Sequence, residues 1–236
     1  PVTGACLLPD SEWPAESASP ASPERWVVHH VGDPMCSWCW GISPTVREVA
    51  KFCAERGHGF SITMGGLRAG GGDPWNAAFK DFLRREWHHI AEVTGQPFGF
   101  TLLDAPHFDY DTEPACRAVV MVQALQQAQG LDPSTALDFF SAVQRKFYVD
   151  GEEPKAVAFY AGICAGLGID FEGFRARFES DAARQAVREA FMRCRRWGVR
   201  SFPTLLLERQ GEIKPLFAGY VTTERALSRL REIEAA

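Results

Sequence analysis

Two cysteines separated by two residues, in Met35-Cys36-Ser37-Trp38-Cys39-Trp40, are the side chains of this sequence best placed to do chemistry. The apolar run Trp26 to Val31 and the turn Gly32-Asp33-Pro34 precede them, and a helical pattern follows. A strand feeding a helix whose first turn carries Cys-x-x-Cys suits thiol–disulfide exchange. The thiolate is the nucleophile in such exchange. Cys36 would sit where unpaired N–H groups and the positive end of the helix dipole favour negative charge. Cys39 would lie one turn further in, within reach of a mixed disulfide on Cys36. The outer cysteine is read as the attacking thiol and the inner one as the resolving thiol.

Other uses of the pair are incomplete. A structural zinc site needs a second Cys-x-x-Cys or a His-x3–5-His pair, and the sequence has neither, so no metal is expected. Haem attachment needs a histidine directly after the second cysteine, where Trp40 stands. Seven cysteines is an odd number in a long chain, which argues against a secreted disulfide scaffold. Cys53, Cys116, Cys164 and Cys194 fall on apolar helix faces and read as small hydrophobes. Cys6 lies in the N-terminal segment and reads as incidental.

The elements that must position the pair follow from hydrophobic periodicity. Trp26–Val31 reads as a strand buried on both faces. A helix is expected from Cys36 to about Arg56, kinked by Pro44, which removes a backbone donor. Phe60–Met64 reads as a second strand, followed by Gly65-Gly66-Leu67 and the glycines Gly70 to Gly72. Helical patterns then run from Trp75 to Val93, Glu113 to Gln129, Pro133 to Phe147, Pro154 to Leu167, and Phe171 to Trp197 with a break. Asp111 or Thr112 can cap the second of these and Asp132 or Ser134 the third. Phe202–Leu207 and Ile213–Tyr220 read as an antiparallel hairpin turning at Gly211. Thr222 can cap a last amphipathic helix that turns Leu227, Leu230 and Ile233 inward.

This order is α/β: β-α-β, a helical insertion, then β-β-α, which is a thioredoxin fold interrupted by an α-helical insertion domain. The boundaries read as a flexible tail over 1–24, a first thioredoxin part over 25–72, the insertion over 73–196 and a second thioredoxin part over 197–236. In such a fold Phe202-Pro203-Thr204 starts the strand opposite the cysteines. A cis Pro203 is expected there, presenting backbone groups to an extended substrate chain. His30 stands six residues before Cys36, where thioredoxin-like enzymes often place a buried acid. A histidine there could move protons for Cys39, since its pKa lies near neutrality. His29 should point to the opposite face.

The composition sets outer bounds. With 236 residues, 46% of them hydrophobic, the chain can build a sizeable core. A net charge of −5 argues against a nucleic-acid partner. No apolar run approaches the roughly 18 residues of a membrane span. The first 24 residues lack the basic start and apolar centre of a secretory signal. The expected location is therefore cytoplasmic, with the periplasm as the alternative if a signal has been removed.

The sequence resembles the DsbA family of thioredoxin-fold oxidoreductases and, within it, the FrnE-like branch. The matching residues are Gly32 to Gly41, Met64-Gly65-Gly66-Leu67-Arg68, Thr94-Gly95-Gln96-Pro97-Phe98, Asp111 to Arg117, Phe147-Tyr148 and Phe202-Pro203-Thr204. The resemblance implies protein thiol–disulfide oxidoreductase activity without a bound cofactor, with Cys36 and Cys39 as nucleophilic and resolving cysteines and Pro203 as the cis proline. Trp38, Phe202, Gly65, Gly66, Asp111 and Thr112 are expected to border the substrate cleft. The expected partners are protein or peptide thiols and disulfides. The dipeptide Ser37-Trp38 departs from typical DsbA enzymes by offering no histidine to stabilise the thiolate, which leaves the direction of electron flow open.

Two other functions fit part of the pattern. Kappa-class glutathione transferases and 2-hydroxychromene-2-carboxylate isomerases share the fold and would take glutathione as partner, but they usually activate it with a single serine or cysteine, which Cys39 argues against. A non-catalytic chaperone would use Trp38 and Trp40 as exposed aromatic grips.

Overall fold

The computed structural model describes residues 25–235. The expected tail and Cys6 lie outside the described residues. Four strands form one mixed sheet in the order β2-β1-β3-β4. They are β1 (Trp26–Gly32), β2 (Gly59–Met64), β3 (Thr204–Arg209) and β4 (Glu212–Ala218). β1 pairs parallel with β2 and antiparallel with β3, and β3 pairs antiparallel with β4. The parallel pair requires a crossover helix, and the hairpin does not.

Between β1 and β2 lie α1 (Ser37–Gly41) and α2 (Ser43–Glu55). The expected single kinked helix is thus two helices. Pro44, in the first turn of α2, has no N–H for the Trp40 carbonyl, and the chain breaks at Ile42 instead of bending. Between β2 and β3 come α3 (Ala77–Thr94), α4 (Glu113–Gln129), α5 (Thr135–Tyr148), α6 (Ala161–Gly166), α7 (Phe171–Phe178) and α8 (Asp181–Arg196), with 3-10 turns at Thr101–Asp104 and Val157–Tyr160. The last helix, α9 (Thr223–Glu234), packs beside α2.

Local chemistry sets most of these ends. Asn76 accepts from the Phe79 N–H at 3.0 Å and starts α3, while Gly95 ends it in the left-handed conformation. The long apolar pattern after Phe171 breaks at Ser180, whose hydroxyl accepts from Ala183 N–H. α4 is capped by the side chain of Asp111, which accepts from Glu113 N–H at 2.9 Å, and not by that of Thr112. The hairpin is tighter than expected. β3 runs on to Arg209, and the turn is Gln210-Gly211, both with positive φ, the geometry that matches strand twist. Pro215 is tolerated because β4 is an edge strand, next to a register shift at Leu205/Leu206.

Side chains of β1 alternate between two cores, as strand geometry requires. Val28 belongs to the main core, and the His30 ring meets Phe140 of α5 edge-on at 5.8 Å. Val31 joins Leu206 and Cys194 in a small second core, where the His29 ring lies 4.8 Å from that of Trp197. His29 is occupied structurally by Ser61 Oγ at 2.6 Å and Glu208 Oε2 at 2.7 Å. Leu230 of α9 is buried as expected, whereas Leu227 and Ile233 are only partly covered.

Candidate active site

Cys36 caps the N-terminal end of α1, and its backbone N–H donates to the Asp33 carbonyl at 3.1 Å. The residue is 6% exposed, and its thiol faces the Phe202 carbonyl at 3.7 Å. Phe202-Pro203 is a cis peptide bond, so the expected isomer is present and its loop lies against the cysteine. The pair is therefore bracketed from two sides: by α1, which follows β1, and by the loop that opens β3.

Cys39 lies one turn deeper and is fully buried. Burial, then the Cys36 sulfur beside it, pushes the Cys39 thiol well above its ordinary range. The two cysteines thus differ as an outer and an inner thiol should. Cys53 is pushed up to about 12 and Cys164 to about 11 by burial alone or chiefly so, and Cys194 also rises through burial. These three are small hydrophobes, as expected. Cys116 is buried too, but it is not surrounded by apolar atoms alone. Its thiol donates to Asp33 Oδ2 at 3.3 Å.

His30 is fully buried, and neither ring nitrogen has a hydrogen-bond partner among the described residues. Burial holds its pKa at about 4, so at neutral pH it is an uncharged imidazole with a free lone pair. A Cβ added at Gly32 would lie 2.8 Å from His30 Nε2 and 3.1 Å from Cys39 Sγ. The missing side chain of Gly32 lets the imidazole and the inner thiol approach the same point.

The cleft residues read from the sequence divide into two groups. Phe202 and Gly65 pack together: a Cβ at Gly65 would overlap the Phe202 ring. Gly66 has φ +69 and lies against Phe191. Trp38 is half-buried, 5.8 Å from the His89 ring and 5.9 Å from that of Tyr220. Asp111 and Thr112 instead hold the loop that follows β2. Thr112 is fully buried and its Oγ1 accepts from Arg68 N–H at 3.1 Å, while Asp111 accepts from Gly70 N–H at 2.8 Å. Trp40 is not the exposed grip expected of it. It is buried, and its indole N–H donates to the Pro97 carbonyl at 2.9 Å.

Three contributors to the site are given no chemical role by the sequence reading. Asp33 reads as a turn residue yet is fully buried, with Oδ1 accepting from Met35 N–H at 2.8 Å and Oδ2 from Leu67 N–H at 2.7 Å. It ties the loop before Cys36 to the loop after β2. The buried Tyr110 hydroxyl donates to the Met35 carbonyl at 2.8 Å and lies 3.4 Å from the Tyr148 hydroxyl. Gln96 donates to the Trp40 carbonyl at 3.0 Å and to Ser43 Oγ at 2.7 Å. Among the described residues no group of three acidic, histidine or cysteine side chains could hold a metal, and no helix is long and apolar enough to cross a membrane.

No protein-family model and no curated protein matches the chain. Solved structures do. A protein disulfide isomerase candidate from Nitrosomonas europaea is 32% identical, with a TM-score of 0.75 over 88% of this chain and 97% of that one. The cytosolic disulfide reductase DsbM from Pseudomonas aeruginosa is 26% identical, with a TM-score of 0.65 over 89% and 95% of the two chains. The same reductase with GSH matches at 25% identity and a TM-score of 0.63, over 89% and 96%. With the strand order, the Cys-x-x-Cys at the start of α1 and a relative of this identity over nearly its whole length, the chain belongs to the DsbA family of thioredoxin-fold oxidoreductases.

Proposed function

We propose that this protein is a thiol–disulfide oxidoreductase of the FrnE-like kind, acting on protein or peptide substrates through Cys36 and Cys39. The observation that carries the reading is the asymmetry of the pair. Cys36 caps α1 and faces the carbonyl before the cis proline, while Cys39 is sealed behind it with a raised pKa.

In the reducing direction, the Cys36 thiolate attacks one sulfur of a substrate disulfide. A Cys36–substrate bond forms and the other substrate sulfur leaves as a thiolate. Cys39 then attacks Cys36 Sγ and expels the remaining substrate sulfur. Its thiol must lose a proton to do so, and the departing substrate thiolate takes that proton up. His30, expected to relay it because of a near-neutral pKa, is held at about 4 by burial and is too weak a base for that role; it lies beside the pair as an uncharged ring. Both electrons end on the substrate and the Cys36–Cys39 disulfide forms. Oxidation of a substrate dithiol runs the same steps backwards.

The cis-Pro203 loop and Trp38 are the surfaces we assign to substrate, the first through backbone pairing with an extended chain. Insulin reduction tests the reading: activity disappears in Cys36→Ser, and full activity in that variant overturns it. Glutathione is a second thiol partner worth testing, because the DsbM neighbour is recorded with GSH. If glutathione acts only as the electron donor, turnover requires Cys39. Turnover that survives Cys39→Ala, with tight glutathione binding, favours a transferase or isomerase instead. The cytosolic description of DsbM supports assigning this chain to the cytoplasm.

A further inference from the structure

The direction of electron flow depends on how well the fold tolerates negative charge on the pair, and Asp33 bears on that directly. This inference rests on reading Cys36 and Cys39 as the redox pair. Asp33 is fully buried three residues before Cys36. Each of its carboxyl oxygens accepts from a backbone N–H, of Met35 at 2.8 Å and of Leu67 at 2.7 Å, and the Cys116 thiol donates to Oδ2. Burial pushes the Asp33 carboxyl above the usual carboxylate range, and the hydrogen bonds donated to it act against that rise by favouring the charged form.

No cation pairs with Asp33 among the described residues. Arg68, next to Leu67 in the loop after β2, stacks over the rings of Phe79 and Tyr110 and pairs with Asp73. The other titratable groups facing Asp33 are Cys39, Cys116, Tyr110 and Tyr148, none of them cationic. A buried carboxylate without a counter-charge acts strongly on its neighbours, because little solvent screens it. Where reduction leaves a thiolate on the pair, an ionised Asp33 opposes that charge.

We propose that Asp33 biases the pair toward giving electrons away, making it a stronger reductant than the same two cysteines without that carboxylate. Asp33 is thus a positioning residue for the exchange loop that also sets its potential.

The test is the equilibrium in which the Cys36–Cys39 disulfide and two glutathione molecules give the dithiol and glutathione disulfide. In Asp33→Asn its constant should rise at least tenfold, a potential about 30 mV more positive. A purely structural role weakens the oxidised and reduced proteins alike and leaves the constant where it was. An unchanged or smaller constant overturns the proposal. Infrared difference spectra of the wild-type protein, reduced minus oxidised, need no variant to fold. A perturbed carboxylate band supports the proposal, and a protonated carboxyl band from the buried aspartate in both states overturns it. If the wild-type protein forms no Cys36–Cys39 disulfide, the reading of the pair fails and this inference fails with it. If the disulfide forms and the constant does not move, only the role of Asp33 fails.

Discussion

The backbone carbonyl of Trp40 takes its hydrogen bond from the side chain of Gln96, at 3.0 Å and fifty-six positions along the chain. In an unbroken helix the donor would be the N–H of residue 44, which is a proline. Gln96 replaces it and also reaches Ser43 Oγ, while Trp40 reaches back to the Pro97 carbonyl. The segment Thr94 to Pro97 thus clasps the helix that carries both cysteines. The break after α1 is held in place from outside that helix.

This clasp gives a coupled prediction. Gln96→Ala should lower stability by about 1–2 kcal/mol, since it strands a backbone carbonyl and a hydroxyl. In a Pro44→Ala background the new N–H can serve the Trp40 carbonyl, and the cost of Gln96→Ala should shrink. Urea unfolding of the four proteins checks this. Strictly additive costs would contradict the compensation.

Gly65 should tolerate no side chain. A Cβ there overlaps the Phe202 ring, whose carbonyl faces Cys36. Gly65→Ala should cost about 1–3 kcal/mol through overpacking, and the displaced Phe202 should lower kcat/KM for disulfide exchange at least tenfold. Gly162→Ala, in α6 where nothing lies within 4 Å of the new atom, should leave kcat/KM unchanged and raise stability by about 0.5–1 kcal/mol, the opposite sign to Gly65→Ala. Chemical denaturation and an insulin assay on both variants separate the local clash from a general intolerance of alanine.

His30 predicts a pH dependence of stability. Its folded pKa is about 4, below the unfolded value near 6.5. A group depressed in this way supplies stability above its unfolded pKa and loses it as pH falls toward the folded one. The wild-type protein should therefore lose on the order of 3 kcal/mol of this contribution between about pH 6.5 and pH 4. His30→Leu should lack that component. The difference between the two stability profiles isolates the histidine from other groups, and a flat difference across this window would remove the buried, neutral imidazole from the account.

Much of this site was legible because it is local. Cys36 and Cys39 announce themselves by a spacing of three after a strand and a turn, and Pro203 by standing where a core strand begins. The alternation of Val28, His29 and His30 was enough to send the two histidines to opposite faces. The residues that escaped notice owe their roles to distant partners. Asp33 looks like an ordinary turn former until Leu67 and Cys116 close over it. Pro44 signals a missing donor, but nothing nearby says that Gln96 supplies one. Trp40 reads as an exposed aromatic because burial by Pro97 depends on how α3 ends. Periodicity located most helices, but Cys36–Arg56 is two helices and Pro154–Leu167 is a 3-10 turn followed by the short α6, and several ends moved to the nearest cap, as at Asn76 and Ser180.

The central claim is that Cys36 attacks and Cys39 resolves. The most direct measurement is a trap: Cys39→Ala incubated with a disulfide-bonded peptide, followed by mass mapping of the covalent product. The account predicts a stable mixed disulfide on Cys36 alone, absent from the wild-type protein, where Cys39 resolves it. An adduct on another cysteine, or none at all, would contradict the account.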